Sequence, residues 1–184
     1  MYGTLKPVQT WNPVIINFKV MWQLIKDMWH AERIFDKLRI WFMPTGWRPR
    51  DVKKKFPLHE ITTPRKQSKY NTKNSRFIIA YSWTQLTITH FLMFHLFTII
   101  SNFSTTMNYL YAIVLILSIF SFTSLLDHRN YALVAEAVKL VLGFSLLYFQ
   151  NYSWFGLSGF YVYVLIFYFI ISFLLAYYFQ NEIK

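Results

Sequence analysis

Residues 108–126 read NYLYAIVLILSIFSFTSLL, nineteen positions without a charged side chain. As a helix rising about 1.5 Å per residue, this stretch nearly matches the roughly 30 Å hydrocarbon core of a bilayer. Three further segments have the same character. Residues 77–100 and 154–179 hold no charge, and 131–150 hold only Glu136 and Lys139. Between them lie the uncharged loops 101–107 and 150–153 and the polar turn Asp127-His128-Arg129-Asn130. The expected fold is all-α: an integral membrane four-helix bundle over 77–180.

Charge is distributed unevenly. Residues 1–76 carry 16 Lys and Arg against 5 Asp and Glu, the whole of the chain's net +11, whereas 77–184 balance three against three. With four spans, the basic region, Arg129 and Lys184 fall on one side and the uncharged loops on the other. The positive-inside rule then makes both chain ends cytoplasmic. Tyr81, Trp83, Tyr109, Tyr131, Tyr148, Tyr152, Trp154, Tyr177 and Tyr178 stand near the expected span ends, as interfacial aromatic belts do. The start MYGTLKPVQTWNP lacks the apolar core of a signal peptide.

Ahead of the bundle, 1–49 read as a basic amphipathic region and 50–76 as a charged connector. Asn12-Pro13 forms a helix start, with Asn as cap and Pro at the first helical position. Val14, Phe18, Met21, Trp22, Ile25, Met28 and Trp29 then recur at helical spacing, and Ile34, Leu38, Trp41 and Phe42 form a second stripe. Cationic helices with Trp and Phe on one face lie in the membrane interface. Packing on another soluble domain is the alternative. Anionic lipid accounts for the positive charge better than nucleic acid does.

Little chemistry is visible. The absence of cysteine excludes disulfides and thiolate sites. His90 and His95, five apart, point about 140° from each other around a helix, so one face cannot offer both to a metal. Glu136 and Lys139, three apart, share a face. An ionisable pair inside a span is a functional candidate, although it can equally fix helix packing or reach the headgroups. Asp127 and Arg129 are expected to shape the cytoplasmic turn. No nucleophile with its base, phosphate-binding loop or cofactor fingerprint is present.

Two stretches carry a resemblance. YGTLKPVQTWNP at 2–13 with DKLRIWFMPTGWRP at 36–49 resembles the segment that follows the catalytic core in the fatty acid hydroxylase/sterol desaturase superfamily, above all its alkylglycerol monooxygenase-like members. Leu125-Leu126-Asp127-His128-Arg129, followed by the helix with Glu136 and Lys139, is similar to their C-terminal membrane extension. The resemblance implies lipid oxidation with O₂ at two iron ions held by HxxxH and HxxHH boxes. Neither box occurs here, and His30, His59, His90, His95 and His128 stand alone. No catalytic residue, cofactor or metal ligand is therefore carried over to this chain. It is expected to be the membrane region of such an enzyme, inactive without the histidine-box core, with lipids and that core or a second copy as partners. The rival expectations are a free-standing four-span scaffold or small transporter subunit, and an electrostatic lipid-binding module.

Overall fold

In a computed structural model, residues 8–44, 46–57 and 69–183 are described; Thr45, His59, Pro64 and Lys184 lie outside them, as do residues 2–7 of the first resembling stretch. Seven helices form among the described residues, without a strand: α1 (Pro13–His30), α2 (Ile34–Arg39), α3 (Arg50–Lys55), α4 (Arg76–Ile99), α5 (Thr105–Leu126), α6 (Tyr131–Phe149) and α7 (Phe160–Ile183). The chain divides into two units. One comprises the residues up to Thr10 with Ile15–Asn71, the other Trp11–Val14 with Thr72–Lys184.

In the first unit most of the large apolar residues of α1 and α2 are exposed. The one buried residue of α1 is an acid, Asp27, while Phe18, Met21, Trp22, Trp29, Ile34, Phe35, Leu38 and Phe42 are exposed. Asp27 is buried because Arg48 grips it with two parallel bonds, Nε to Oδ2 at 2.6 Å and Nη2 to Oδ1 at 2.7 Å. Gln23 Nε2 adds a third at 2.8 Å. Such fork-to-fork pairing is the geometry in which a guanidinium best offsets the desolvation of a carboxylate. Arg48 reaches this position after the tight turn in which Trp47 N–H bonds Pro44 O, with Gly46 at φ +94°, a backbone region that glycine enters without strain. The connector expected over 50–76 contains a helix, α3. Asp51 at its start takes the Glu32 N–H at 2.9 Å, which holds its carboxyl below the ordinary value. Lys55 at its end bonds the Glu32 carboxylate, which raises its ammonium above the ordinary value.

The second unit is built from four long helices: α4 packs on α5, α5 on α6 and α7, and α6 on α7. Three of them, α5, α6 and α7, are long and apolar enough to cross a membrane. They point to a membrane protein. Four spans were expected, and α4 is the difference. It has 24 residues, as α7 does, but Ser82, Thr84, Gln85, Thr87, Thr89, His90 and His95 dilute its hydropathy.

The fourth expected segment also starts later. Trp154 and Leu157 exchange backbone bonds of 2.8 and 2.9 Å, and Phe155, Gly156 and Gly159 all take positive φ. A helix cannot run through such a turn, so α7 begins at Phe160. The turn places Trp154 and Phe155, both fully buried, against Tyr111 at ring distances of 5.1 and 4.7 Å. Trp154 is therefore a core residue and not part of an interfacial belt. Tyr81 is buried too, whereas Trp83, Tyr109, Tyr131, Tyr148, Tyr152, Tyr177 and Tyr178 are exposed.

Helix α6 meets α7 closely at Gly143. A Cβ there would stand 2.8 Å from the Phe169 ring, and that ring is fully buried and cannot swing aside. Gly143→Ala should therefore destabilise the second unit by about 1–3 kcal/mol, the usual cost of overpacking, measured by SDS titration of the protein in mixed micelles. Adding Phe169→Leu should recover part of the loss.

Candidate functional site

Glu136 and Lys139 lie on adjacent turns of α6, and both side chains are completely buried. Headgroups do not reach them, which removes that expectation. Lys139 Nζ stands 2.7 Å from Glu136 Oε2 and donates to Oε1 at 2.8 Å. Pairing at i,i+3 lets one helix carry both charges as a net-neutral unit.

The pair is completed by α4 and α7. Ser172 on α7 donates to Glu136 Oε1 at 3.0 Å, and its Oγ accepts from Lys139 Nζ and from Gln85 Nε2, each at 2.9 Å. This uses the one donor and both acceptor positions of a hydroxyl. Tyr81 on α4 lies 3.1 Å from Glu136 Oε1 and 3.2 Å from Ser172 O, both within reach of its O–H. Tyr168 donates to Gln85 Oε1 at 2.7 Å, and Lys139 Nζ sits 5.1 Å from the centre of its ring. Six polar side chains from three helices thus form one closed network. Glu136 Oε2, which has only the ion-pair contact and no hydrogen bond, is its single incomplete atom.

Asp127 and Arg129 do not pair with each other. Asp127 caps the C-terminus of α5, and its two oxygens accept the Trp11 N–H at 2.9 and 3.1 Å. Arg129 is exposed, and its N–H closes the helix on Ser124 O. Together with His128 at φ +56°, whose N–H bonds Leu125 O, this forms a Schellman end. Asn12 completes the arrangement. It is buried, donates to Phe120 O at 3.0 Å and Ser124 Oγ at 2.8 Å, and caps α1 through the Val14 N–H, as the sequence led us to expect. Thr72 and Asn74 bond Leu126 O at 2.7 and 3.1 Å. The end of α5 is therefore bound by residues distant in sequence at Asn12, Trp11, Thr72 and Asn74.

The described histidines stand apart, each with its own hydrogen-bond partner. Nδ1 of His30 lies 2.7 Å from Lys26 O, and Nδ1 of His90 lies 2.8 Å from Leu86 O. His95 is bonded to Tyr111 and His128 to Asn74. Among the described residues, no three His, Asp or Glu side chains are placed to share a metal ion.

Glu136 and Lys139 were legible from their charge and spacing. Tyr81, Gln85, Tyr168 and Ser172 were missed, although an amide and a hydroxyl inside otherwise apolar runs were the available signal. Either Glu136→Leu or Lys139→Met alone should cost about 3–5 kcal/mol in SDS titration, because each leaves a buried charge without its partner. The double variant should be more stable than either single one. A double variant as unstable as the worse single one would show that the network, and not the pair, carries the energy. No protein-family model, curated protein or solved structure matches this chain.

Proposed function

We propose that this chain is the non-catalytic membrane region of a lipid monooxygenase of the fatty acid hydroxylase/sterol desaturase superfamily. The observation that carries this reading is the buried Asp27–Arg48 pair. The run Trp41-Phe42-Met43-Pro44-Thr45-Gly46-Trp47-Arg48-Pro49 holds the strongest resemblance, and Arg48 within it is the side chain that makes Asp27 tolerable inside the first unit. A distinctive sequence and a demanding interaction coincide.

On this reading, four helices anchor the region with the basic side cytoplasmic. Two features support α4 as the fourth span. Its hydroxyls are satisfied within the helix, where Ser82, Thr84, Thr87 and Thr89 each donate to the carbonyl four residues back. Its remaining buried polar groups, Tyr81 and Gln85, join the network with α6 and α7. Charge agrees with this arrangement, since Lys73, Arg76 and Arg129 lie at one end of the four helices and the connections 100–104 and 150–159 at the other carry none. The exposed Trp and Phe residues of the first unit, interleaved with Lys and Arg, rest on the cytoplasmic headgroups. There they bring lipid to a histidine-box core or to a second copy of the chain. The rival transporter reading has less support, because Glu136 and Lys139 are wholly buried and reach no aqueous path.

The family reading is tested by the DNA that precedes the codon of Met1. An in-frame sequence encoding clustered histidine boxes is expected, and a non-coding gap with its own ribosome site would remove the proposal. Topology is tested independently. Because the chain has no cysteine, single substitutions are clean reporters. Lys53→Cys and Arg129→Cys should react with an impermeant maleimide from the cytoplasmic side, and Asn102→Cys and Ser158→Cys from the opposite side. If α4 does not cross, Asn102→Cys will react on the same side as Lys53→Cys.

A further inference from the structure

An apolar groove of about 250 Å³ runs between α4 and α5, lined by Ile79, Ser82, Trp83, Leu86, Phe122 and Leu126. Its one hydroxyl, that of Ser82, donates to Ile78 O at 2.9 Å. The lining is otherwise almost wholly apolar. Its volume falls below that of a pocket for a whole drug-sized molecule and suits a segment of hydrocarbon chain.

The end of this groove is not apolar. Arg76 stands three residues before Ile79 and seven before Trp83, so it shares their face of α4, one turn beyond the groove. Thr72 and Asn74 both bond the carbonyl of Leu126, a groove residue. That fastening holds Lys73, between them, at the same end. Arg129 follows Leu126 across the helix end. Arg76, Lys73 and Arg129 are all exposed. Of the acids on neighbouring elements, Asp127 is buried with both oxygens on the Trp11 N–H, and Glu182 near the end of α7 is the one exposed carboxylate. A hydrocarbon slot capped by guanidinium and ammonium groups complements an amphiphile with one anionic head.

We propose that this groove is a binding site for an anionic phospholipid, with one acyl chain lying between α4 and α5 and the phosphate resting on Arg76 with Lys73. The inference depends on α4 lying in the bilayer, and its test separates the two ideas. Trp83 lines the groove and is mostly exposed, so bromine atoms on an acyl chain seated there quench its fluorescence. The signal is the difference between the unaltered protein and Trp83→Phe. It is read in bilayers of unbrominated phosphatidylcholine containing a small fraction of either brominated phosphatidylglycerol or brominated phosphatidylcholine.

The expected result is a preference of about fivefold for the glycerol lipid, the worth of one basic residue beside an anionic headgroup. Arg76→Gln should abolish most of that preference and Arg76→Lys should retain it. Arg76 is exposed at the first position of α4, so unchanged helicity by circular dichroism verifies that both variants fold. Equal quenching by the two lipids, insensitive to Arg76→Gln, would overturn the site while leaving α4 in the membrane. No Trp83 quenching even in a wholly brominated bilayer would overturn both.

Discussion

The ion pair between Glu136 and Lys139 is the constraint around which the second unit is arranged. Neither charge could remain alone inside an apolar helix, because an isolated ion in a low-dielectric interior costs several kcal/mol or more. Placing both on α6 three residues apart removes the net charge before any tertiary contact forms. The remaining hydrogen-bonding capacity then has to be met by neighbours. Ser172 provides it from α7 and Tyr81 from α4, and Gln85 on α4 in turn donates to Ser172. A purely apolar interface between these helices would tolerate sliding or rotation, since one aliphatic contact replaces another at little cost. A polar network does not, because a shift of one residue would leave charged and polar groups bare. The network therefore fixes the register of three helices, and the Gly143–Phe169 approach fixes how closely two of them meet.

The ends of the helices are held by different means. At the end bearing Lys73, Arg76 and Arg129, the bonds are polar: Asn12, Thr72, Asn74 and the Trp11 N–H all engage the last turns of α5 or its cap. At the other end, the closure is aromatic: Tyr111 meets Trp154 at 5.1 Å and Phe155 at 4.7 Å, and Trp154 meets Phe169 at 5.6 Å. Both α5 and α6 finish in Schellman turns on non-glycine residues, His128 and Asn151. The charged end is thus assembled from long-range hydrogen bonds and the uncharged end from buried rings, as the distribution of residue types along the chain requires.

Much of this was legible where a single residue type carries the physics. The uncharged run 108–126 could only be an apolar helix, and α5 spans Thr105–Leu126. Asn12-Pro13 announced a helix start, and α1 begins there. The partner of the ion pair was harder to see, because a serine among isoleucine and phenylalanine has no distinctive pattern. Asp127 was harder still, since it bonds a backbone N–H 116 residues away, and every residue but proline has one. The late start of α7 depended on Gly156 and Gly159, whose positive φ values outweigh the apolar run around them. Hydropathy reads what a residue dissolves in, and not where its backbone can go.

Asp27 shows the same limit in the first unit, and its consequence reaches further. Along α1 the aromatic residues Phe18, Trp22 and Trp29 face outward and the acid Asp27 faces in. Burying Asp27 is tolerable only with Arg48 in bidentate contact, so residues 21 apart in sequence must meet before α1 can adopt this orientation. The outward aromatic face follows from that pairing: once the acid is committed to the interior, helical geometry turns Trp22 and Trp29 to the surroundings. In water such a face is costly at about 25 cal/mol per Å² of apolar area, whereas at a membrane interface the same rings are at home. The buried acid and the exposed rings are thus two sides of one helical geometry.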